Sequence, residues 1–340
     1  MKGIQLVVPG PNQVRVEEYE ITDPGPTQIR VRTEVSLVSA GTELAIYTGI
    51  HQGLTNPHTS WPKYPQVMGY MAVGRVEACG EQVTAVRPGQ RLICSGRHST
   101  TSLVDGTTPG LAAWLIPEEL PAEQAVFARM AKTAITAAAR SGVTMGQSLA
   151  VLGLGIIGQI ALRLYEGAGA YPIVGIDPVQ FRRAAAERGG AVATVNPETA
   201  EPAAAVRAAL AGRGADIVLD TTGWASAVPT AMSLANDGGQ VVLLGSPRGR
   251  AESVDFYSDL HRRSLHVIGA HDSGIGFTAR ERFPWTNERV LPYIVHSLQR
   301  GRFRVDDLIS HIVSPERLGE MYDGLLHRKE EFLGVVLDWR

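Results

Sequence analysis

The sequence predicts an α/β chain in two parts, an antiparallel β domain followed by a doubly wound parallel sheet. Three observations carry this. Up to about residue 120 the pattern is short, alternating and broken by Pro/Gly turns. From about Glu123 helical periodicity begins, and continuous apolar strands then alternate with helices. A glycine cluster, G-L-G-I-I-G at 153–158, sits between one such strand and a helix.

Each element follows in turn. V-R-V-E-E-Y, Q-I-R-V-R-T-E-V after the turn D-P-G-P, and A-V-G-R-V-E-A alternate as half-buried strands. R-L-I-C follows the turn R-P-G-Q, and L-A-A-W-L-I-P closes the series, while T-S-W-P-K-Y-P reads as loop. E-Q-A-V-F-A-R-M-A-K-T-A-I-T-A-A-A-R-S-G predicts a helix closed by Gly142. S-L-A-V-L-G and P-I-V-G-I-D are strands, each followed by a helix. A-D-I-V-L-D, Q-V-V-L-L-G and L-H-V-I-G-A continue the parallel sheet. Beyond about 271 the chain reads as helix and loop, ending in the strand-like F-L-G-V-V-L-D-W.

Composition narrows the function classes. A length of 340 residues allows two cores, and 44% hydrophobic with 19% charged residues is ordinary for a globular protein. A net charge of -2 without basic runs gives no reason to expect a nucleic-acid or membrane partner. Cys79 and Cys94 are too few for a disulfide framework or a Cys-rich structural zinc site. No export pattern and no membrane-length apolar run is present, so a cytoplasmic chain is expected. Only Lys2, Lys63, Lys132 and Lys329 are lysines, which singles out a lysine in an apolar setting such as Lys132.

The glycine cluster points to a dinucleotide. Gly153 permits the tight turn, Gly155 lets a pyrophosphate approach the backbone, and Gly158 lets the helix pack against the strand. Ile156 and Ile157 open the helix whose N-terminus faces the phosphates. The second strand ends at Asp177, where a carboxylate accepts the ribose hydroxyls of NAD and repels the 2′-phosphate of NADP. The other reading of Asp177 is a helix cap before Pro178, and Arg182 and Arg183 keep NADP open. Thr221 and Thr222, with Gly245 and Ser246, stand at two further strand ends that line the same crevice or are plain turns.

Together, P-G-P-T-Q-I-R-V-R, S-A-G-T-E-L-A-I-Y-T-G, M-G-Y-M-A-V-G-R-V, V-R-P-G-Q-R-L and V-T-M-G-Q-S-L-A-V-L-G-L-G-I-I-G resemble the medium-chain dehydrogenase/reductase superfamily, to which zinc alcohol dehydrogenases belong. The resemblance implies a GroES-like catalytic domain at 1–129 and 271–340, a Rossmann domain at 130–270, and an active site in the cleft between them. It also implies three zinc ligands, and here the chain departs from the pattern. Ala40 stands for the cysteine, Tyr70 for the histidine with Met71 for the following glutamate, and Ala128 and Arg129 at the third position. Alanine has no donor and a neutral phenol is a poor zinc ligand, so no zinc is expected. S-A-G-T-E-L-A-I-Y-T-G, G-Y and P-W-T-N-E-R-V-L are most similar to a zinc-free branch containing bacteriochlorophyllide a dehydrogenase.

Without zinc, a protein group must exchange a proton with the substrate oxygen. Tyr70 at a former ligand position and Lys132 on the entering helix form the expected catalytic pair, the ammonium lowering the phenol's pKa. Thr42 is a candidate relay and Glu43 an orienting or base residue. The competing readings are a tyrosine filling vacated metal space and a solvent-facing lysine on an Ala-rich helix. His51, in the loop after T-E-L, and His271, after the last parallel strand, are candidate substrate contacts. His58 and His98 carry less signal, and each histidine is open to a structural or surface role. The expected function is an NAD-dependent, zinc-independent dehydrogenase of a polar secondary alcohol, a sugar, aminosugar or cyclitol. The alternatives are an NAD(P)H-dependent enoyl or quinone reductase and an inactive NAD(H)-binding protein. The resemblance also implies a homodimer or homotetramer pairing through L-H-V-I-G-A, whose apolar edge would be a liability if unpaired.

Overall fold

A computed structural model of the chain describes residues 1–107, 113–274 and 285–340. Leu111 and Ala112 of the expected strand L-A-A-W-L-I-P, and Pro284 of P-W-T-N-E-R-V-L, lie outside the described residues. The chain divides into a first unit of 1–129, 287–301 and 309–340 and a second of 130–286 and 302–308. The return to the first unit thus comes at Asn287, later than 271, and a short segment at 302–308 packs with the second.

In the first unit the strand Gln28–Leu37 organises the main sheet, with Ile29, Val31 and Val35 fully buried. It pairs antiparallel with Ala72–Cys79, with Thr101–Asp105 and with the C-terminal strand Gly334–Asp338. The last pairing, Leu37 opposite Val336, brings residues about 300 positions apart into one sheet. The pair Ile309–Val313 with Gly334–Asp338 is parallel, a departure from the purely antiparallel expectation. Leu6, Val8, Ile46, Met68, Leu318, Met321, Tyr322 and Phe332 form a core that clamps the helix Ala40–Tyr47 against the C-terminal helix Leu318–His327.

The second unit carries a parallel sheet in the order Ala193–Val195, Ile173–Ile176, Leu149–Leu152, Ala215–Asp220, Ala235–Leu243, His266–Gly269. Leu149–Leu152 and Ile173–Ile176 are buried along their whole length, as expected of strands covered on both faces. The strand order reverses between Leu149–Leu152 and Ala215–Asp220, which opens a crevice at their carboxyl ends. The helix expected from Glu123 to Ser141 is two helices, Ala122–Ala125 and Phe127–Ser141, and Gly142 at φ +61° ends the second.

Candidate active site

The glycine cluster caps the strand Leu149–Leu152 and feeds the helix Ile156–Gly167, whose N-cap is Gly155. A Cβ at Gly158 would lie 2.1 Å from Gly153 O, so only glycine lets this helix approach the turn. A Cβ at Gly155 would meet nothing within 4 Å. That open space above helical N–H groups is what a pyrophosphate needs, and a side chain there would fill it. Ile156 packs inward and is buried, while Ile157 is half-buried beside the opening. The Thr221 hydroxyl donates to Leu152 O at 3.2 Å and a Cβ at Gly245 would lie 2.6 Å from Gly223 N, so these strand ends meet closely. Thr222 donates N–H and O–H to Asp220 Oδ1 at 2.9 and 2.7 Å, while Ser246 is exposed.

Asp177 is 5% exposed at the end of the strand Ile173–Ile176. Its Oδ2 accepts the Leu154 N–H at 2.8 Å and its Oδ1 accepts the Val179 N–H at 2.9 Å. The carboxylate therefore pins the glycine turn. A carboxylate has about four acceptor sites, which leaves two for ribose hydroxyls. Arg182 lies 3.9 Å from Asp177 Oδ2, and Arg183 turns away to donate to the Asp177 and Pro178 carbonyls at 2.7 and 2.6 Å. The capping reading and the coenzyme reading of Asp177 are compatible.

In the first unit Gly69, at φ +82°, passes so near His98 that a Cβ would lie 2.4 Å from His98 N. That approach aims the next residue, Tyr70, whose hydroxyl donates to Ser39 Oγ at 2.6 Å and also bonds the Thr42 side chain. Burial pushes the phenol's pKa up; the Ser39 and Thr42 bonds oppose this, Glu43 adds to it, and the charge of Arg129 opposes it. The expected lowering of the Tyr70 pKa is thus reversed, because desolvation of the phenolate outweighs its favourable partners. A cation that acts on Tyr70 is Arg129, at a position the sequence marks only as a lost zinc ligand. Lys132 lies one turn further along the helix Phe127–Ser141, in the second unit, and at 7% exposure it is not a solvent-facing residue.

Glu43 sits behind Tyr70 and is 1% exposed. Its Oε1 accepts the Ser39 N–H at 3.0 Å, and its Oε2 accepts the Tyr322 O–H at 2.6 Å and the His98 Nε2–H at 3.0 Å. Burial works to raise this carboxyl, but His98, Tyr322 and Ser39 outweigh it and hold the pKa below the ordinary 4.5. An ionised carboxylate with three donors is a weak base, an arrangement that suits the orienting alternative for Glu43 better than the base one. His98 Nδ1 meets Ser36 Oγ at 2.8 Å, which also accepts the Trp339 indole N–H at 2.9 Å. Sequence reasoning missed Ser36, Ser39, Tyr322 and Trp339; the polar serines inside the apolar run V-S-L-V-S-A are the one signal that could have found two of them.

Of the candidate substrate histidines, His51 Nδ1 accepts the Gly53 N–H at 3.0 Å as the N-cap of the turn Gln52–Thr55, and its ring packs edge-on to Trp61. His271 is exposed, with Nδ1 2.8 Å from Ser273 Oγ. Both geometries are those of turn-stabilising histidines. The residues at the former ligand positions do not fit zinc: Ala40 and Ala128 present methyl groups, and Tyr70 is a neutral phenol facing the charge of Arg129. No group of three or more His, Cys, Asp or Glu able to hold a metal occurs among the described residues.

Residues 25–128 match the alcohol dehydrogenase GroES-like domain and residues 157–289 match the zinc-binding dehydrogenase family. The D-guloside 3-dehydrogenase of Shigella flexneri is 26% identical over 256 residues, spanning 75% of this chain and 72% of that protein. The L-threonine 3-dehydrogenase of Bacillus velezensis (strain DSM 23117 / BGSC 10A6 / LMG 26770 / FZB42) is 26% identical over 301 residues, spanning 81% and 82%. The fold superposes on 2R,3R-butanediol dehydrogenase from Bacillus subtilis with a TM-score of 0.83 at 20% identity, covering 99% of both chains.

Proposed function

We propose that this chain, which belongs to the medium-chain dehydrogenase/reductase superfamily of zinc-type alcohol dehydrogenases, oxidises a polar secondary alcohol with NAD, or runs the reverse, without a zinc ion. It is an NAD(P)-dependent oxidoreductase acting on CH–OH groups. The observation that carries the finer reading is the open cradle at Gly155 beside the carboxylate of Asp177. Bound there, the dinucleotide supplies the acceptor for the hydride of the alcohol's C–H bond.

The proton on the substrate oxygen is left to the protein. Tyr70 accepts it as the phenol's own hydrogen passes along its bond to Ser39 Oγ and the Ser39 hydroxyl releases its hydrogen to solvent; in ketone reduction the relay runs in reverse and Tyr70 O–H donates. Glu43 fixes Ser39 through its backbone N–H, and Arg129 steadies negative charge near the phenol. Thr42 and Gln66 stand beside Tyr70 in a lining shared with Ile46, Trp61, Val67 and Met68, so that a substrate hydroxyl meets polar partners next to the phenol. The named relatives act on D-guloside and L-threonine, both polar alcohols.

The coenzyme reading has a direct test in Asp177→Asn, compared with wild type in NAD and NADP. Loss of charged hydrogen bonds to the ribose is expected to raise the KM for NAD about 10–100-fold. The KM for NADP should stay level or fall, because the charge opposing its 2′-phosphate is gone. A wild-type enzyme that prefers NADP, or an Asp177→Asn variant with unchanged preference, would remove Asp177 from the coenzyme site.

A further inference from the structure

We propose that Arg97 reads an anionic group on the substrate, a phosphate ester or a carboxylate, so that the substrate is an acidic polyol. The inference rests on the dehydrogenase reading and names its substrate class. Arg97 lines the same pocket as Tyr70, Thr42 and Gln66. Its Nη1 lies 3.4 Å from Val67 O and 3.4 Å from Gly69 O, the residue next to Tyr70. Bonds of that length are weak, and a guanidinium has five donors in a planar fork that matches a carboxylate or phosphate.

No carboxylate lies within 4.0 Å of the Arg97 guanidinium among the described residues, whereas Arg30, Arg75, Arg91 and Arg163 each have one. Glu43 borders the same pocket, but its oxygens are taken by Ser39, Tyr322 and His98. Part burial pulls the Arg97 pKa down, the mark of a cation drawn out of water without a countercharge. Guanidinium nevertheless stays charged at any working pH. An apolar or neutral substrate would leave this charge unanswered.

The test compares glucitol, glucitol 6-phosphate and gluconate at saturating NAD, with wild type, Arg97→Lys and Arg97→Ala. One or both acidic probes should be turned over with the higher kcat/KM, and the pair tells a phosphate-reading site from a carboxylate-reading one. Arg97→Ala should raise their KM about 10–100-fold with kcat little changed, Arg97→Lys should recover part of it, and glucitol should respond to neither. Equal turnover of glucitol, or an equal effect of Arg97→Ala on all three, overturns the inference and leaves the dehydrogenase reading standing. A second readout needs no turnover: thermal unfolding with inorganic phosphate while ADP-ribose fills the coenzyme site. Phosphate should stabilise wild type and fail to stabilise Arg97→Ala, each compared with its own phosphate-free curve. Stabilisation without turnover of any alcohol would keep the anion site and sink the dehydrogenase reading. Absence of stabilisation in wild type overturns the anion site.

Discussion

Tyr70→Phe is expected to lower kcat by about 10²–10⁴-fold, the usual contribution of a positioned proton-transfer group, while NAD binds as before. The substitution removes one oxygen and leaves the ring that fills the space beside Gly69. The hydroxyl's bonds to Ser39 Oγ at 2.6 Å and to Thr42 are lost with it. Ser39→Ala and Thr42→Val should give smaller losses, because each removes only one exit for the proton. The pH profile adds a sign. Burial raises the phenol above its ordinary 10.0, so it stays protonated as the donor for ketone reduction throughout the neutral range. The rate of reduction should hold level from about pH 6 to 9 and fall only above about 10. A descending limb near neutrality would mean a phenol with a lowered pKa and restore the ammonium-assisted mechanism. Wild-type kcat in Tyr70→Phe would leave the tyrosine a space-filling residue.

Glu43→Ala is expected to destabilise the first unit by about 3–5 kcal/mol, since it strands buried donors that now share one anion. His98, Tyr322 and the Ser39 N–H converge on this carboxylate from the loop before Thr101–Asp105, from the helix Leu318–His327 and from the start of Ala40–Tyr47. Trp339, bonded to Ser36 in the same network, gives a fluorescence reading of its loss during urea unfolding. The pKa of Glu43 is depressed in the folded state, so its contribution is present above about pH 4.5, the ordinary value, and is lost as pH falls through the lower folded one. Wild type should therefore lose stability on acidification below that point more steeply than Glu43→Gln. A Glu43→Ala protein with wild-type urea midpoint would show that the network contributes nothing.

How much of this is legible in the sequence depends on distance along the chain. The glycine cradle and Asp177 are local patterns, a turn between a strand and a helix and a strand end, and both stand where the pattern puts them. The buried strands are equally local, since a continuous apolar run is itself the signal. Tyr322 and Glu43 are 279 residues apart, and no period or spacing connects them. The sign of the Tyr70 pKa shift was also beyond reach, because it is set by how far packing excludes water from the phenol. Asp177 shows a third case: the strand-end pattern marks the carboxylate, but a motif cannot show that one of its oxygens is already bonded to the Leu154 N–H.

If Tyr70 stands in for a metal in proton transfer, activity should not depend on zinc content. The purified enzyme should hold far less than one zinc per chain and keep its kcat after chelation and gel filtration. Added zinc should not raise that rate. Activity that rises in proportion to bound zinc, falls on chelation and returns when zinc is restored would assign the proton-transfer role to a metal and not to Tyr70.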